Sequence, residues 1–383
     1  MKTKNTWMAA IAVALPAAAW AQSGVTLYGV ADAALSYQTH ANAAGNSLFG
    51  LQQGGEGFLS GSRFGLKGNE DLGGGMSAGF VLENGFIETT GKLDQQGQLF
   101  GRQAYVRLTS KDLGEVSLGR QYTTANTLLY YVDPLGIGAA PSNSWMVFLT
   151  GQRYDNSVVY SKDWGPVSLI AQYAFGETAG KPSATSSAAV GLKYASGPIV
   201  AVGDFQQTRD SASRAARIYL AGLKGSYGSV AVFANYIHSD RDANFDSSKG
   251  GTDTASITSM TTAATATNFA AYNSVFGSKR TDDFFTLGAT YALTSNVSLT
   301  GSVMYDRTRA TAFSGSRTTV YAVADYAFSK RTDVYLAAAY DSVRGDWSGV
   351  FANSTTNWTG GSGKPLNGSN NQTTVMAGLR HKF

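Results

Sequence analysis

Polar and apolar residues alternate one for one through most of this chain, in runs that are long for strands. Between Val297 and Asp306, the residues Val297, Leu299, Val303 and Tyr305 take one phase, and Ser298, Thr300, Ser302 and Asp306 take the other. Val167, Leu169, Ala171, Tyr173 and Phe175 repeat the pattern against Ser168 and Gln172. A period of two puts successive side chains on opposite faces of an extended strand, so each segment has one apolar and one polar face. Sixteen such segments are predicted, near 24-40, 58-71, 76-87, 99-110, 115-126, 153-163, 167-177, 186-196, 199-210, 217-227, 229-242, 282-293, 297-310, 317-329, 334-347 and 372-383. Most hold ten or more residues. Strands of soluble proteins cluster at about 5–6, whereas a tilted strand crossing a bilayer needs about 9–11.

The connections sort by length. Leu72-Gly73-Gly74-Gly75, Lys111-Asp112-Leu113-Gly114, Trp164-Gly165-Pro166, Ser196-Gly197-Pro198, Thr294-Ser295-Asn296 and Lys330-Arg331-Thr332-Asp333 are short, while 41-57, 127-152, 243-281 and 348-371 are long. Short turns at one end, long loops at the other and an even strand count describe a bacterial transmembrane barrel. A soluble sandwich shares the alternation but gives no reason for the loops to segregate. The prediction is all-β: a 16-stranded antiparallel transmembrane β-barrel with short periplasmic turns and long external loops, its apolar phase outward and its polar phase lining a channel.

The amino terminus supports an envelope address. Lys2 and Lys4 precede the short apolar stretch Met8 to Ala19, and Ala19-Trp20-Ala21 is a small-x-small cleavage site. Residues 1-21 therefore read as a signal peptide and 22-383 as the barrel. The full chain carries 30 basic against 26 acidic residues, and loss of Lys2 and Lys4 lowers the net charge from +4 to +2. That balance is far from the basic footprint of a nucleic-acid protein. With no cysteine, the chain has no disulfide scaffold or thiolate metal site. The three histidines, His40, His238 and His381, are dispersed, and no Gly-x-Ser-x-Gly elbow or zinc signature occurs. Gly73-Gly74-Gly75 is a tight turn after a strand. No enzyme, metal or cofactor is expected.

At the carboxyl end Val375, Ala377, Leu379, His381 and Phe383 share one face, opposite Met376, Gly378, Arg380 and Lys382. A closing strand that stops on Phe383 suits an aromatic interfacial girdle.

These residues carry a resemblance. Val25-Thr26-Leu27-Tyr28-Gly29 with Asp32, Ser60-Gly61-Ser62-Arg63-Phe64-Gly65-Leu66-Lys67-Gly68, Glu70-Asp71-Leu72-Gly73, and Leu99-Phe100-Gly101-Arg102-Gln103-Ala104-Tyr105-Val106 are similar to the general trimeric porins of β-proteobacteria, the Gram-negative porins of the Neisseria and Burkholderia type. So are Leu118-Gly119-Arg120-Gln121-Tyr122, Arg153-Tyr154-Asp155-Asn156-Ser157-Val158 and Gly378-Leu379-Arg380-His381-Lys382-Phe383. The resemblance implies a homotrimer in the bacterial outer membrane, in contact with lipid and lipopolysaccharide. It also implies insertion by the barrel-assembly machinery, with Phe383 as part of the signal, and passage of small hydrophilic solutes and ions. A third external loop, 127-152, is implied to fold into the lumen and narrow it.

A pore selects by width and by charge at its narrowest point. Arg63 and Lys67 alternate with Phe64 and Leu66, which puts them on the lumenal phase; Glu83 alternates with Leu82, and Arg153, Asp155 and Ser157 oppose Val158 and Tyr160. Arg102 and Arg120 do not phase cleanly: either the strands bend near their external ends, or their outer faces meet another subunit. By resemblance Arg102 joins Arg63 and Arg153 in a basic wall, with Arg120 and Lys67 as further members. Asp133, in the folded-in loop, is expected on an acidic side across from them, assisted by Glu83. Val159, lumenal by phase, makes the waist less charged than in relatives. Arginine keeps its charge at any working pH, so mild anion selectivity is expected.

Overall fold

The computed structural model describes residues 24–41, 44–53, 59–138, 146, 149–245, 277–348 and 369–383. The expected signal peptide, most of the loops 243-281 and 348-371, and part of the loop 127-152 lie outside the described residues. The chain runs through β1 (Gly24–Gln38), β2 (Leu48–Gln53), β3 (Arg63–Gly73), β4 (Met76–Ile87), the two-residue β5 (Lys92–Leu93), β6 (Gln103–Ser110) and β7 (Gly114–Tyr122). A helix, α1 (Thr124–Val132), precedes β8 (Arg153–Trp164), β9 (Val167–Ala174), β10 (Ser187–Ser196), β11 (Ile199–Arg209), β12 (Ala215–Tyr227) and β13 (Val230–Arg241). The series ends with β14 (Arg280–Ala292), β15 (Val297–Ala310), β16 (Phe313–Ala327), β17 (Thr332–Gly345) and β18 (Asn371–Lys382).

All strands join one antiparallel sheet that closes on itself as a barrel of sixteen staves, because β1 pairs with β3 on one edge and with β18 on the other. Two staves are made in two pieces. Along β1, Ala33 faces Gln53 of β2 and Val30 faces Arg63 of β3, so nine residues on one side span an interval of two on the other. In the other, β4 pairs with β5 at Phe86 and Ile87 but with β6 from Glu83 downward. Sequence reasoning saw β3 and β6 but neither β2 nor β5, because such short pieces carry too few alternations to register. Two connections at the long-loop end are themselves short, 210–214 and 311–312.

The alternation resolves as predicted for a membrane barrel. Leu223, Val232, Leu287, Val303, Val320 and Leu336 point outward and are exposed, while the buried residues include more polar and charged side chains than apolar ones. Among the described residues no helix is long and apolar enough to cross a membrane; the strands are the crossing elements. Tyr219, Phe285, Tyr305 and Tyr340 ring the outer face toward the long-loop end, and Trp164, Tyr194, Tyr227 and Tyr326 ring it toward the short turns. Two aromatic girdles around an apolar band are what a barrel presents to a bilayer.

Phe383 makes the last closure. The Gly29 amide donates to the Phe383 carbonyl and the Phe383 amide to the Gly29 carbonyl, each at 3.0 Å. The Phe383 ring lies on Gly29 so tightly that a Cβ there would come within 2.2 Å of a ring carbon.

Two outcomes test this arrangement. Val303→Arg, at mid-depth on the outer face, should destabilise the barrel by about 2–4 kcal/mol, whereas Thr318→Arg, near the girdle, should cost about 0–1 kcal/mol; urea unfolding in lipid vesicles measures both. Gly29→Val should push the Phe383 ring off its seat and lower the temperature at which the folded band disappears on an unheated detergent gel.

Candidate functional site

After β7 the chain turns into the barrel. Thr123 accepts the Asn126 amide at 3.1 Å and caps α1, leaving Ala125, Leu128, Leu129 and Val132 as one fully buried face. Such a face needs an apolar seat, and the inner wall supplies it with Val202, Ile218, Leu220, Ile237 and Phe284. The expectation of a uniformly polar lumen is corrected here: β11 to β17 carry apolar residues on the inner phase where the loop and its surroundings pack. The signal was present, because in β12 both phases are apolar, Ile218 and Leu220 on one side and Tyr219 and Leu223 on the other.

The seat is cut to shape. A Cβ at Gly191 would come within 2.4 Å of Leu128, at Gly222 within 2.5 Å of Val132, and at Gly288 within 2.5 Å of Pro134. Asn235 donates to the Val132 carbonyl at 3.2 Å. Asp133 ends the helix: its Oδ2 accepts the amides of Leu135 and Ile137 at 3.0 and 2.8 Å, holding the turn that follows.

Across the lumen stands a basic wall built where the two divided staves resume. Arg63 is the first residue of β3 and Arg102 the last before β6. Between them Glu83 of β4 accepts from Arg102 Nε at 2.7 Å and from the Tyr28 hydroxyl at 2.9 Å, with Arg63 Nε at 4.0 Å. Arg102 also donates to the Tyr122 hydroxyl at 2.8 Å, and the Arg153 guanidinium lies over the Tyr122 ring at 4.8 Å. Lys67, four residues along β3 from Arg63 and on the same phase, rests over the Tyr28 ring at 5.2 Å. Both stackings have the geometry of cation–π contacts.

The predicted residues therefore sort as follows. Arg63, Arg102 and Arg153 form one connected cluster with Lys67 beside it. They are not equally open to water: the Arg63 side chain is 28% exposed and that of Arg102 12%, while Arg153 is wholly buried. Arg102 escapes its outward parity because strand geometry begins only at Gln103. Arg120 leaves the wall. A bulge between Gly119 and Gln121, with Asn156 in a left-handed conformation at φ 50°, puts Asp155 opposite Arg120 on the outer face, where they pair at 2.5 Å. The lumenal reading of Asp155 is corrected for the same reason. Glu83 does not face the arginines from the acidic side; it is the counterion inside their own wall. Asp133 is on the opposite side, as expected, but buried in its own turn. Tyr28, Tyr122 and the lumenal Arg107 escaped sequence reasoning, which sought charges near the waist and not the hydroxyls that orient them.

The charge balance is local. On the far wall Arg317 meets Asp341 in a bidentate pair at 2.9 and 2.5 Å, and Arg280 meets Asp282 at 2.8 Å. At the basic wall two guanidinium groups, those of Arg63 and Arg102, approach the one carboxylate of Glu83.

A closed sixteen-stave barrel, a helix folded into its bore and an arginine wall facing that helix coincide with a family match. Residues 8–346 fit the model of the Gram-negative porins. The chain belongs to that family. With the closed barrel, this places it in the bacterial outer membrane. An outer membrane porin protein of Bordetella pertussis is 33% identical over 257 residues, 58% of this chain and 66% of that protein. Among solved structures, an anion-selective porin from Comamonas acidovorans matches with a TM-score of 0.72 at 22% identity, covering 94% of this chain and 100% of the other. The trimer form of the outer membrane protein OmpT of Vibrio cholerae matches at 0.61 and 13%, covering 94% and 99%. At these identities the structural likeness is one of fold.

The glycine seat yields a test. Gly222→Val should disfavour the docked loop by about 1–3 kcal/mol, the usual cost of overpacking. Single-channel recording should then show a larger and noisier conductance than the parent porin.

Proposed function

We propose that this porin is a general diffusion channel for ions and small hydrophilic solutes, mildly selective for anions. The observation that carries the reading is the basic wall itself: Arg63 and Arg102 both approach the one carboxylate of Glu83 and Lys67 stands beside them, while on the far wall Arg317 and Arg280 each lie against an aspartate. In a water-filled bore with low-dielectric walls such a surplus attracts anions and repels cations. Arg63 and Lys67 are the members that meet solute. Glu83, Tyr28 and Tyr122 hold the guanidinium groups in place, and Arg153 braces Tyr122 from behind. The folded-in loop sets the width opposite them.

Residues 1-21 act as a cleaved signal in this reading, and the β18 strand ending on Phe383 is what the barrel-assembly machinery would recognise. The porin assembles as a homotrimer through the outer face of its early staves, a reading supported by one feature that lipid would not favour. Among the outward apolar residues Val106 and Leu118 stands Arg120, which is charged, points outward and has a side chain only 10% exposed.

Reversal potentials in a salt gradient across a planar bilayer test the proposal. The parent channel should prefer chloride over potassium; a cation preference would overturn the reading. Arg63→Ala should reduce the anion preference, and Glu83→Gln should increase it. A carboxylate standing across the waist as a separate acidic side would instead leave the arginines fixed when removed, so disordered, broadened conductance in Glu83→Gln separates the two arrangements.

A further inference from the structure

The outer face of the barrel is not uniform around its external rim. Over β1, β2 and β18 the last outward residues before the loops are apolar or weakly polar, among them Leu35, Tyr37, Phe49 and Leu51. From β11 to β17 the same level carries Arg209, Arg217, His238, Arg307, Arg309 and Arg344. Several of these are spoken for. Arg217 pairs with Asp242 at 3.3 Å, and Asp283 holds Arg309 at 2.9 Å, His238 at 2.9 Å and the Tyr236 hydroxyl at 2.7 Å.

Arg209, Arg307 and Arg344 make no ion pair among the described residues, and strand register brings the last two together. Arg307 of β15 faces Ser316 of β16, and Ser316 faces Arg344 of β17. All three share the outward phase, with Arg307 and Arg344 exposed and Ser316 half-buried. Two strand spacings set the arginine backbones roughly 9–10 Å apart, so two long side chains flank one hydroxyl. The row immediately below, Tyr305, Thr318 and Ser342, begins the aromatic girdle, and Val303, Val320 and Tyr340 follow it down. The nearby carboxylates are otherwise engaged: Asp283 as above, and Asp346 by the amide of Ser314 at 2.7 Å.

A pair of exposed arginines with no ion pair of their own and a hydroxyl between them, one rung above the hydrocarbon boundary, suits an anion fixed at headgroup depth. We propose that Arg307, Ser316 and Arg344 form a docking site for a phosphate group of an outer-leaflet lipid. The arginines grip the phosphate oxygens as a two-sided clamp, Ser316 donates its hydroxyl, and the acyl chains descend over Val303 and Val320. The inference rests on the outer-membrane placement but not on the channel reading, because none of the three side chains enters the bore.

The test uses the trimer or monomer as extracted in detergent, titrated with bis-phosphorylated lipid A and, separately, with the same lipid after enzymatic removal of both phosphates. Retained lipid is counted by native mass spectrometry. The parent should retain the phosphorylated lipid and lose the dephosphorylated one. The double variant Arg307→Ser/Arg344→Ser should retain the phosphorylated lipid about thirtyfold more weakly, while Arg217→Ala, on the same rim, should match the parent. Equal retention by the double variant and the parent overturns the site, as does equal retention of phosphorylated and dephosphorylated lipid by the parent. If the double variant does not insert, the two single substitutions carry the test, each being expected to lose part of the retention. Unchanged single-channel conductance in these variants shows that the barrel is intact and keeps the outcome separate from the channel reading.

Discussion

Backbone amides and carbonyls have no partner in hydrocarbon, and each one left unpaired there is costly. That penalty governs everything else in the structure. A sheet in a bilayer must have no open edge, so β1 is paired on both sides and the terminal residue of the chain completes a rung with Gly29. Once the sheet is closed, the period of two divides every stave between lipid and lumen with no third option. The inside-out distribution of polarity is a consequence of closure and not a separate design.

Closure also creates an interior that must be partly filled. A sixteen-stave cylinder without a plug would be wide along its whole length, with nothing to bring solute near a charged surface. The chain solves this with its own loop, and the solution changes the rules for one wall. Where α1 docks, the lumen has a miniature hydrophobic core, with glycines on three strands lowering the surface to receive Leu128, Val132 and Pro134. Opposite, the wall stays wet and charged. The asymmetry of the bore follows from putting a helix against one side of it.

How much of this was legible in the residues follows from what alternation can report. Staves such as β15 and β4 were placed to within a residue or two, and Arg63 and Glu83 were put on the lumenal phase correctly. Strand phase fails wherever the strand itself fails. Arg102 was ambiguous because it stands just before β6 begins, and Asp155 was misplaced because a bulge at Asn156 resets the parity; Arg120 keeps the outward phase of Val116 and Leu118, and it was the resemblance that put it in the wall. The helix α1 was missed since nine residues hold little periodicity, although Thr123 before a Thr-Ala-Asn-Thr-Leu-Leu run is a capping signal. The role of Glu83 could not be read at all: phase says which side of the wall a carboxylate faces, not which neighbours it will neutralise.

The two divided staves have an implication for how such a pore can change. Arg63 and Arg102 both sit where a stave resumes after a stretch of chain that leaves the sheet, and below each of them the strand keeps one register with its earlier neighbour, β3 with β1 and β6 with β4. Lengthening or shortening those excursions would shift or reorient the two guanidinium groups while the barrel's girth and strand stagger stayed as they are. Ionic preference can thus drift through insertions and deletions at two points of the wall.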